Sequence, residues 1–253
     1  MRQPEILLED KEILVCIKPD GMPAQSDKST SQDLVSYLKT RLSEQAIKKG
    51  QPLMEPPYLV PVHRLDRPVG GIMVLARTSG AAAELSRQVQ EHEMVKYYQA
   101  VVTGHLPEAE GSFLDYLVRD GRTNLSRVVP KEDKAGKKAV LHYEVLDELE
   151  TDVGDFSYIL IRLETGRHHQ IRCQLAHHGA AIYGDTKYNP LYQKGFEQKG
   201  THKKKSFKHG GNPGQVALIA TRLEFTHPAT KQPMVFKTEP WGRAFDILDL
   251  DEF

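Results

Sequence analysis

Five apolar residues in a row, Ile72 to Ala76, follow directly on the pair Gly70-Gly71. An apolar run of that length bounded by glycine reads as a buried strand, and the chain ahead of it must enter the core through a loop. That loop is polar: His63, Arg64, Asp66 and Arg67 crowd into the residues just before it. Loops held by a buried strand are where chemistry commonly sits. The two arginines around Asp66 favour its ionised carboxylate, the form that serves as nucleophile or base. A structural Asp–Arg pair pinning the loop is the alternative that these residues alone leave open.

The remaining pattern is one of short strands. Ile6 to Leu8 and Ile13 to Ile17 are strand-like, and Lys18-Pro19-Asp20-Gly21 closes the second with turn chemistry. Thr30 or Ser31 is placed to cap a helix whose Leu34, Leu38 and Leu42 recur on one face. Gly50 to Pro61, with Pro52, Pro56, Pro57 and Pro61, is extended and leads into the polar loop. Thr78 or Ser79 caps a second helix through Ala81, Leu85 and Val89, ending near His92. Lys96 to Gly104 reads as a strand on which Tyr97 and Tyr98 face opposite sides. Further strands are expected at Ala139 to Leu146, Tyr158 to Glu164, Ala217 to Phe225 and Met234 to Thr238. Short strands joined by polar turns, with fewer helices between them, predict an α+β fold.

A chain of 253 residues is one large domain or two small ones. Hydrophobic residues at 39% and charged residues at 27% are those of a soluble globular protein. No apolar run approaches the length of a membrane span, and Glu5, Glu9 and Asp10 interrupt what a secretory leader would need apolar. A cytoplasmic location is expected, with Cys16 and Cys173 as buried free thiols rather than a disulfide framework. Net charge is zero, from 34 basic and 34 acidic side chains, which argues against a uniformly basic nucleic-acid binder. The charge is uneven, however: cations gather in Arg162 to Arg172 and at Lys203, Lys204, Lys205 and Lys208, and such patches steer polyanions locally. A solvated loop with no partner is the plainer reading of the lysines.

A second polar cluster runs Thr165-Gly166-Arg167-His168-His169-Gln170-Ile171-Arg172-Cys173-Gln174-Leu175-Ala176-His177-His178-Gly179. The spacing of Ile171 and Leu175 is helical, Gly179 stands where a helix C-terminal glycine belongs, and Thr165-Gly166 is expected to open the helix. Arg167, His168 and His169 at its start would suit phosphate or carboxylate. No metal is expected: adjacent histidines point away from each other on a helix, and no zinc-ligand spacing occurs. Phosphate-binding loops, dinucleotide fingerprints and hydrolase nucleophile turns are also absent from the sequence.

Taken in order, Lys18-Pro19-Asp20-Gly21, His63-Arg64-Leu65-Asp66-Arg67, Lys96-Tyr97-Tyr98-Gln99-Ala100, Thr165-Gly166-Arg167-His168-His169-Gln170-Ile171-Arg172 and Gly184-Asp185 resemble the motifs of the RluA-type pseudouridine synthase family. The resemblance implies a mixed, largely antiparallel sheet flanked by helices and loops, without cofactor. It implies a single catalytic domain over residues 1–253, with no separate N-terminal RNA-binding domain ahead of Lys18. It implies an RNA partner, rRNA or tRNA, and no obligate protein partner. Asp66 falls on the family's catalytic aspartate, Tyr98 on its active-site tyrosine, and Arg172 on the arginine that pairs with the aspartate. Arg64 falls on the residue that replaces the flipped base. His63, Arg67, Arg167, His169, Gln170, Ile171 and Leu175 are the further substrate-binding positions expected. Two departures, Val69-Gly70-Gly71 and Gln174, fall beside the chemistry and bear on substrate contacts. The rival readings are a silent RNA-binding protein on the same fold, which has no need of Asp66, Tyr98 and Arg172 together, and a hydrolase using Asp66 with His63, which lacks a second carboxylate in register.

Overall fold

In the computed structural model, residues 3–26, 31–51, 54–151, 154–192, 215–242 and 245 are described. The Lys203–Lys208 cluster, Thr30 and the acidic C-terminus lie outside them. The chain forms two compact units, one of Met1–Lys96 with Ala220–Thr238 and the other of Tyr97–Ile219 with Glu239–Phe253.

The first unit holds strands β1 (Glu5–Glu9), β2 (Ile13–Lys18), the short β3 (Val60–Pro61) and β4 (Gly70–Ala76), with helices α1 (Leu34–Lys48) and α2 (Ser79–Gln90). β2 pairs antiparallel with both β1 and β4. Every residue of β4 is buried, as the apolar run predicts, but the strand begins at Gly70 rather than Ile72. The glycine pair is therefore part of the sheet. Gly71 has φ +128°, and a Cβ there would lie 2.4 Å from the Ala220 carbonyl oxygen, so only glycine fits. Ile13, Val15, Ile72, Val74 and Ala76 form one core with Ala81 and Leu85 of α2. Thr78 caps α2 as expected, its hydroxyl accepting from the Ala81 N–H. For α1 the cap is Asp33, not Thr30 or Ser31, because its carboxylate accepts from the Ser36 N–H at 3.0 Å.

Strands β5 (Val95–Thr103) and β10 (Leu218–Thr226) carry the chain across the boundary between the units, and β11 (Pro233–Lys237) pairs with β10. The second unit contains β6 (Glu110–Asp120), β7 (Leu125–Val129), β8 (Lys137–Thr151), β9 (Gly154–Leu163) and helix α3 (Gln170–His177). Its strand order is β5-β9-β8-β6-β7. β8 is the long central strand, antiparallel to β9 and β6, with a bulge between Val145 and Asp147. The fold is α+β on a mixed, largely antiparallel sheet. Cys16 and Cys173 are free and buried. Burial pushes their thiols up to about 12 and about 11, so both are inert packing groups.

Candidate active site

Asp66 sits half-buried at the head of a turn, its carbonyl accepting from the Val69 N–H at 3.0 Å, while the buried Leu65 beside it anchors the loop. The Lys18–Gly21 turn locks this loop in place. Gly21 N–H donates to the Arg67 carbonyl at 2.9 Å, and Arg67 Nε returns a bond to the Gly21 carbonyl at 3.1 Å. Lys18 is wholly buried, and its Nζ donates to the carbonyls of Pro19, Met22 and Arg67 at 2.9, 2.7 and 3.3 Å. Three carbonyl acceptors suit an ammonium, yet burial still pulls its pKa down to about 7, with the carboxylates of Asp20 and Asp66 acting against that fall. The sequence points to Arg64, Arg67 and, by resemblance, Arg172 as the charges around Asp66, and it does not point to Lys18. Its only signal was a lysine directly after a fully apolar strand.

The other members of the loop divide by role. His63 Nε2 accepts from the Val74 N–H at 3.2 Å, which requires a neutral ring protonated on Nδ1. Burial, helped by the charge of Lys96, pushes its pKa down to about 3, so His63 braces β4 and does not supply a proton at neutral pH. Arg67 reaches back to Ser31 Oγ at 3.1 Å. Arg64 is exposed and makes no side-chain hydrogen bond or ion pair among the described residues.

In the second unit Tyr98 is buried and Tyr97 half-buried, in keeping with opposite faces of β5. The Thr165–Gly179 segment departs from expectation at its start. α3 begins at Gln170, not at Gly166, because His169 takes the left-handed conformation with φ 51° and ends the approach as an N-cap. Arg167 and His168 thus belong to the preceding turn, and the rings of His168 and His169 stack at 3.8 Å instead of diverging on a helix. Gln170 closes that turn: its Oε1 accepts from the Arg167 N–H and from Thr165 Oγ, and its Nε2 donates to the Val140 carbonyl. Gln170, Ile171 and Leu175 are buried, and His169 Nδ1 meets the Tyr188 hydroxyl at 2.8 Å. Gly179, at φ 84°, ends the helix as predicted.

Arg172 is buried and forms a bidentate pair with Asp185, Nε to Oδ2 at 2.7 Å and Nη2 to Oδ1 at 2.8 Å. Tyr188 lies 5.2 Å beneath the guanidinium. Asp185 also accepts from the Lys187 and Tyr188 N–H groups, so it is a fixed anchor for the arginine. The motif Gly184-Asp185 thereby acquires a role that the sequence left blank. Gln174, the departure noted above, is wholly buried and donates to Asp115 Oδ2 at 2.7 Å, tying α3 to β6 instead of facing a ligand.

His177 closes α3 and His178 is its C-cap, so the divergence argued for a helix interior fails there. Both bring a ring nitrogen to within 4.8 Å of an Asp115 oxygen. His178 is held by Asp115 at 3.1 Å and stacks on Phe113 at 3.8 Å.

A family model described as RNA pseudouridylate synthase matches residues 12–177. The tRNA pseudouridine synthase C of Vibrio cholerae serotype O1 is 30% identical over 243 residues, 92% of this chain and 89% of that protein. The protein of the same name from Salmonella typhimurium is 32% identical over 250 residues, 95% of this chain and 88% of its own. The ribosomal large subunit pseudouridine synthase D of Vibrio cholerae is 30% identical over 238 residues, 91% of this chain but 65% of that protein. Among solved structures, human RNA pseudouridylate synthase domain containing 4 superimposes with a TM-score of 0.71 at 21% identity, covering 97% of this chain and 93% of that one, a likeness of fold.

Proposed function

Because the chain belongs to the RNA pseudouridine synthase family, we propose that it isomerises a uridine of structured transfer RNA, with Asp66 as the catalytic carboxylate. The observation that carries this reading is the Asp66 loop, where a half-buried carboxylate is held on a turn clamped by Lys18 and Gly21. The reaction breaks the N1–C1′ bond of uridine, turns the base while it stays bound, and joins C5 to C1′. N1 gains a proton and C5 loses one, so the product is an isomer and the balance needs no cofactor. Attack on the sugar, attack on the base and removal of a sugar proton all require the ionised carboxylate.

Tyr98 and Arg172 complete the catalytic set on the strength of the matched motifs, with Arg172 oriented by Asp185. The two units act as one catalytic domain: the family match runs through the boundary between Lys96 and Tyr97. The target uridine leaves its stack at a cost of about a few kcal/mol. Arg64, exposed and without a side-chain hydrogen bond or ion pair among the described residues, takes the vacated place, while the exposed Arg67 and Arg167 approach the RNA; His169, expected beside them, is instead buried and bonded to Tyr188. In the second unit Gln170, Ile171 and Leu175 are buried, Gln170 holding the turn that carries Arg167, and in the first unit His63 braces β4. Transfer RNA is favoured because the relatives named for it match over most of their length. Ribosomal RNA is the second reading, supported by the synthase D relative. The cytoplasm, where such RNA resides, is the location that goes with it; among the described residues no helix is long and apolar enough to cross a membrane.

The test follows the C5 proton. Unmodified tRNA transcripts carrying 5-tritiated uridine should release tritium with the wild-type protein, and an rRNA fragment should release none. Asp66→Asn, nearly isosteric, should lose far more than tenfold in rate while still binding RNA. A loss within about tenfold, equivalent to roughly 1.4 kcal/mol of barrier, is too small for the reacting group and rejects the assignment.

A further inference from the structure

Resting on the RNA reading above, we propose that the second unit carries a phosphate-binding pocket for the RNA backbone, built from Arg119, Lys137 and Arg167. These side chains line an open pocket of about 230 Å³ together with Ser126 and His168. Four elements meet there: the end of β6, β7 at Ser126, the start of β8 and the turn ahead of α3. All three cations are exposed, and none has a carboxylate at ion-pair distance among the described residues.

Their other bonds position them without neutralising them. Arg119 Nη2 donates to the Asn124 side-chain oxygen at 2.9 Å, and Arg167 Nε donates to the Lys138 carbonyl at 2.8 Å. Each bond leaves further N–H groups of the guanidinium for a ligand. The acid nearest along β6, Asp120, is committed to its own hairpin turn, accepting from Arg122 N–H, Thr123 N–H and Thr123 Oγ. It does not line the pocket.

The floor is ordered by Ser126, which is buried. Its hydroxyl donates to the His168 carbonyl at 2.7 Å, so at the 2.9 Å contact with His168 Nδ1 the ring must be the donor. Nε2 of His168 then carries a proton only when the ring is charged, a form that an anion stabilises. Fork-shaped guanidiniums and an ammonium around a small concavity match the tetrahedral oxygens of a phosphodiester. The pocket is not a helix N-terminus: Arg167 and His168 precede α3, and Gln170 already takes the Arg167 N–H. Family resemblance marked Arg167 alone among these residues; Arg119, Lys137 and Ser126 come from the structure.

The experiment compares wild type with Arg119→Gln/Lys137→Gln in binding to an unmodified tRNA transcript, measured across a salt series. Loss of one phosphate contact should flatten the plot of log affinity against log salt by about 0.7 to 0.9. An unchanged slope and affinity overturn the proposal. Titration with inorganic phosphate is the second arm: if the double variant loses phosphate binding but keeps the wild-type RNA slope, the pocket serves a small free anion, and the RNA assignment is overturned. Both positions are exposed, so the variant should fold. A measurement on the unaltered protein stands beside it: Lys137 should react with an acylating reagent in the free protein and be protected by tRNA, and equal reactivity in both states contradicts the pocket. None of these readings depends on turnover. Wild-type tritium release, by contrast, reports on the proposed reaction alone, so either reading can fail without the other.

Discussion

Replacing Asp185 by asparagine should destabilise the protein by about 3–5 kcal/mol, the usual cost of removing one partner of a buried ion pair. The magnitude follows from the geometry. The Arg172 and Asp185 side chains are 4% and 0% exposed and share two hydrogen bonds of 2.7 and 2.8 Å. Unit charges about 4 Å apart at an effective dielectric of about 20 attract by roughly 4 kcal/mol, and asparagine removes that term entirely. Asparagine keeps one oxygen, which can still accept from the Lys187 and Tyr188 N–H groups that Asp185 Oδ1 serves. Its amide nitrogen would then face an Arg172 N–H, donor against donor. For a chain of this size the loss corresponds to a fall in Tm of roughly 6–20 °C. Urea unfolding at pH 7, followed by circular dichroism, measures it directly. The double variant Arg172→Met/Asp185→Leu should recover most of the loss, because apolar side chains replace a buried pair at little cost. A single-variant loss below about 1 kcal/mol would refute the reasoning: the guanidinium would then be held without Asp185, and its anchoring role would fall.

Gly71→Ala should cost more than about 2 kcal/mol in the same assay, since both the positive φ and the Ala220 backbone oppose a Cβ; a neutral result means that β4 can shift away from β10. Lys18→Met tests the pH dependence. With the folded pKa near 7 and the unfolded value near 10.5, the unfolded state alone binds this proton between those pH values, so the wild type gains stability on going from pH 7 to 10. Its gain relative to Lys18→Met over that range should be about 3–4 kcal/mol, and a flat difference would show that Lys18 titrates normally. Arg64→Ala should cost more turnover on a stem-loop than on a short single strand carrying the same uridine, where less stacking has to be replaced; equal losses reject the wedge.

The elements that were legible in the sequence are those whose side chains announce their own burial. β4 is apolar at each position from Ile72 to Ala76, and α2 combines a threonine cap with a helical stripe. β6 was invisible for the opposite reason: its buried residues, Phe113 and Leu117, stand four apart and mimic a helix, because one face of the strand is largely open to solvent. The start of α3 was misplaced because a left-handed histidine, not a side-chain cap, ends its approach. Nothing in the local sequence requires that conformation. The requirement for glycine at position 71 is likewise invisible, since it comes from Ala220, far along the chain. Partners were the hardest to read. Asp66 has two arginines as chain neighbours, yet the buried cation beneath its loop is Lys18, and the carboxylate gripping Arg172 within its own unit is Asp185.

The same distinction between chain neighbours and spatial partners resolves how a chain of zero net charge can engage a polyanion. Net charge counts every cation alike, whereas a phosphate responds to the field left after local pairing. Arg87 is surrounded by Glu84, Glu91 and Glu93, Arg41 and Arg77 by Glu9, and Arg222 by Glu224. Exposed pairs of this kind add little stability, but they cancel one another's field at a distance of a few ångströms. Arg64, Arg119, Lys137 and Arg167 are different, because none of them has a carboxylate at ion-pair distance among the described residues. Arg64 precedes the catalytic aspartate proposed here, and the other three line one pocket. Pairing of this kind removes cations such as Arg87 from the field that a phosphate meets, and RNA affinity should depend on locally unpaired cations such as these four and on salt rather than on the isoelectric point.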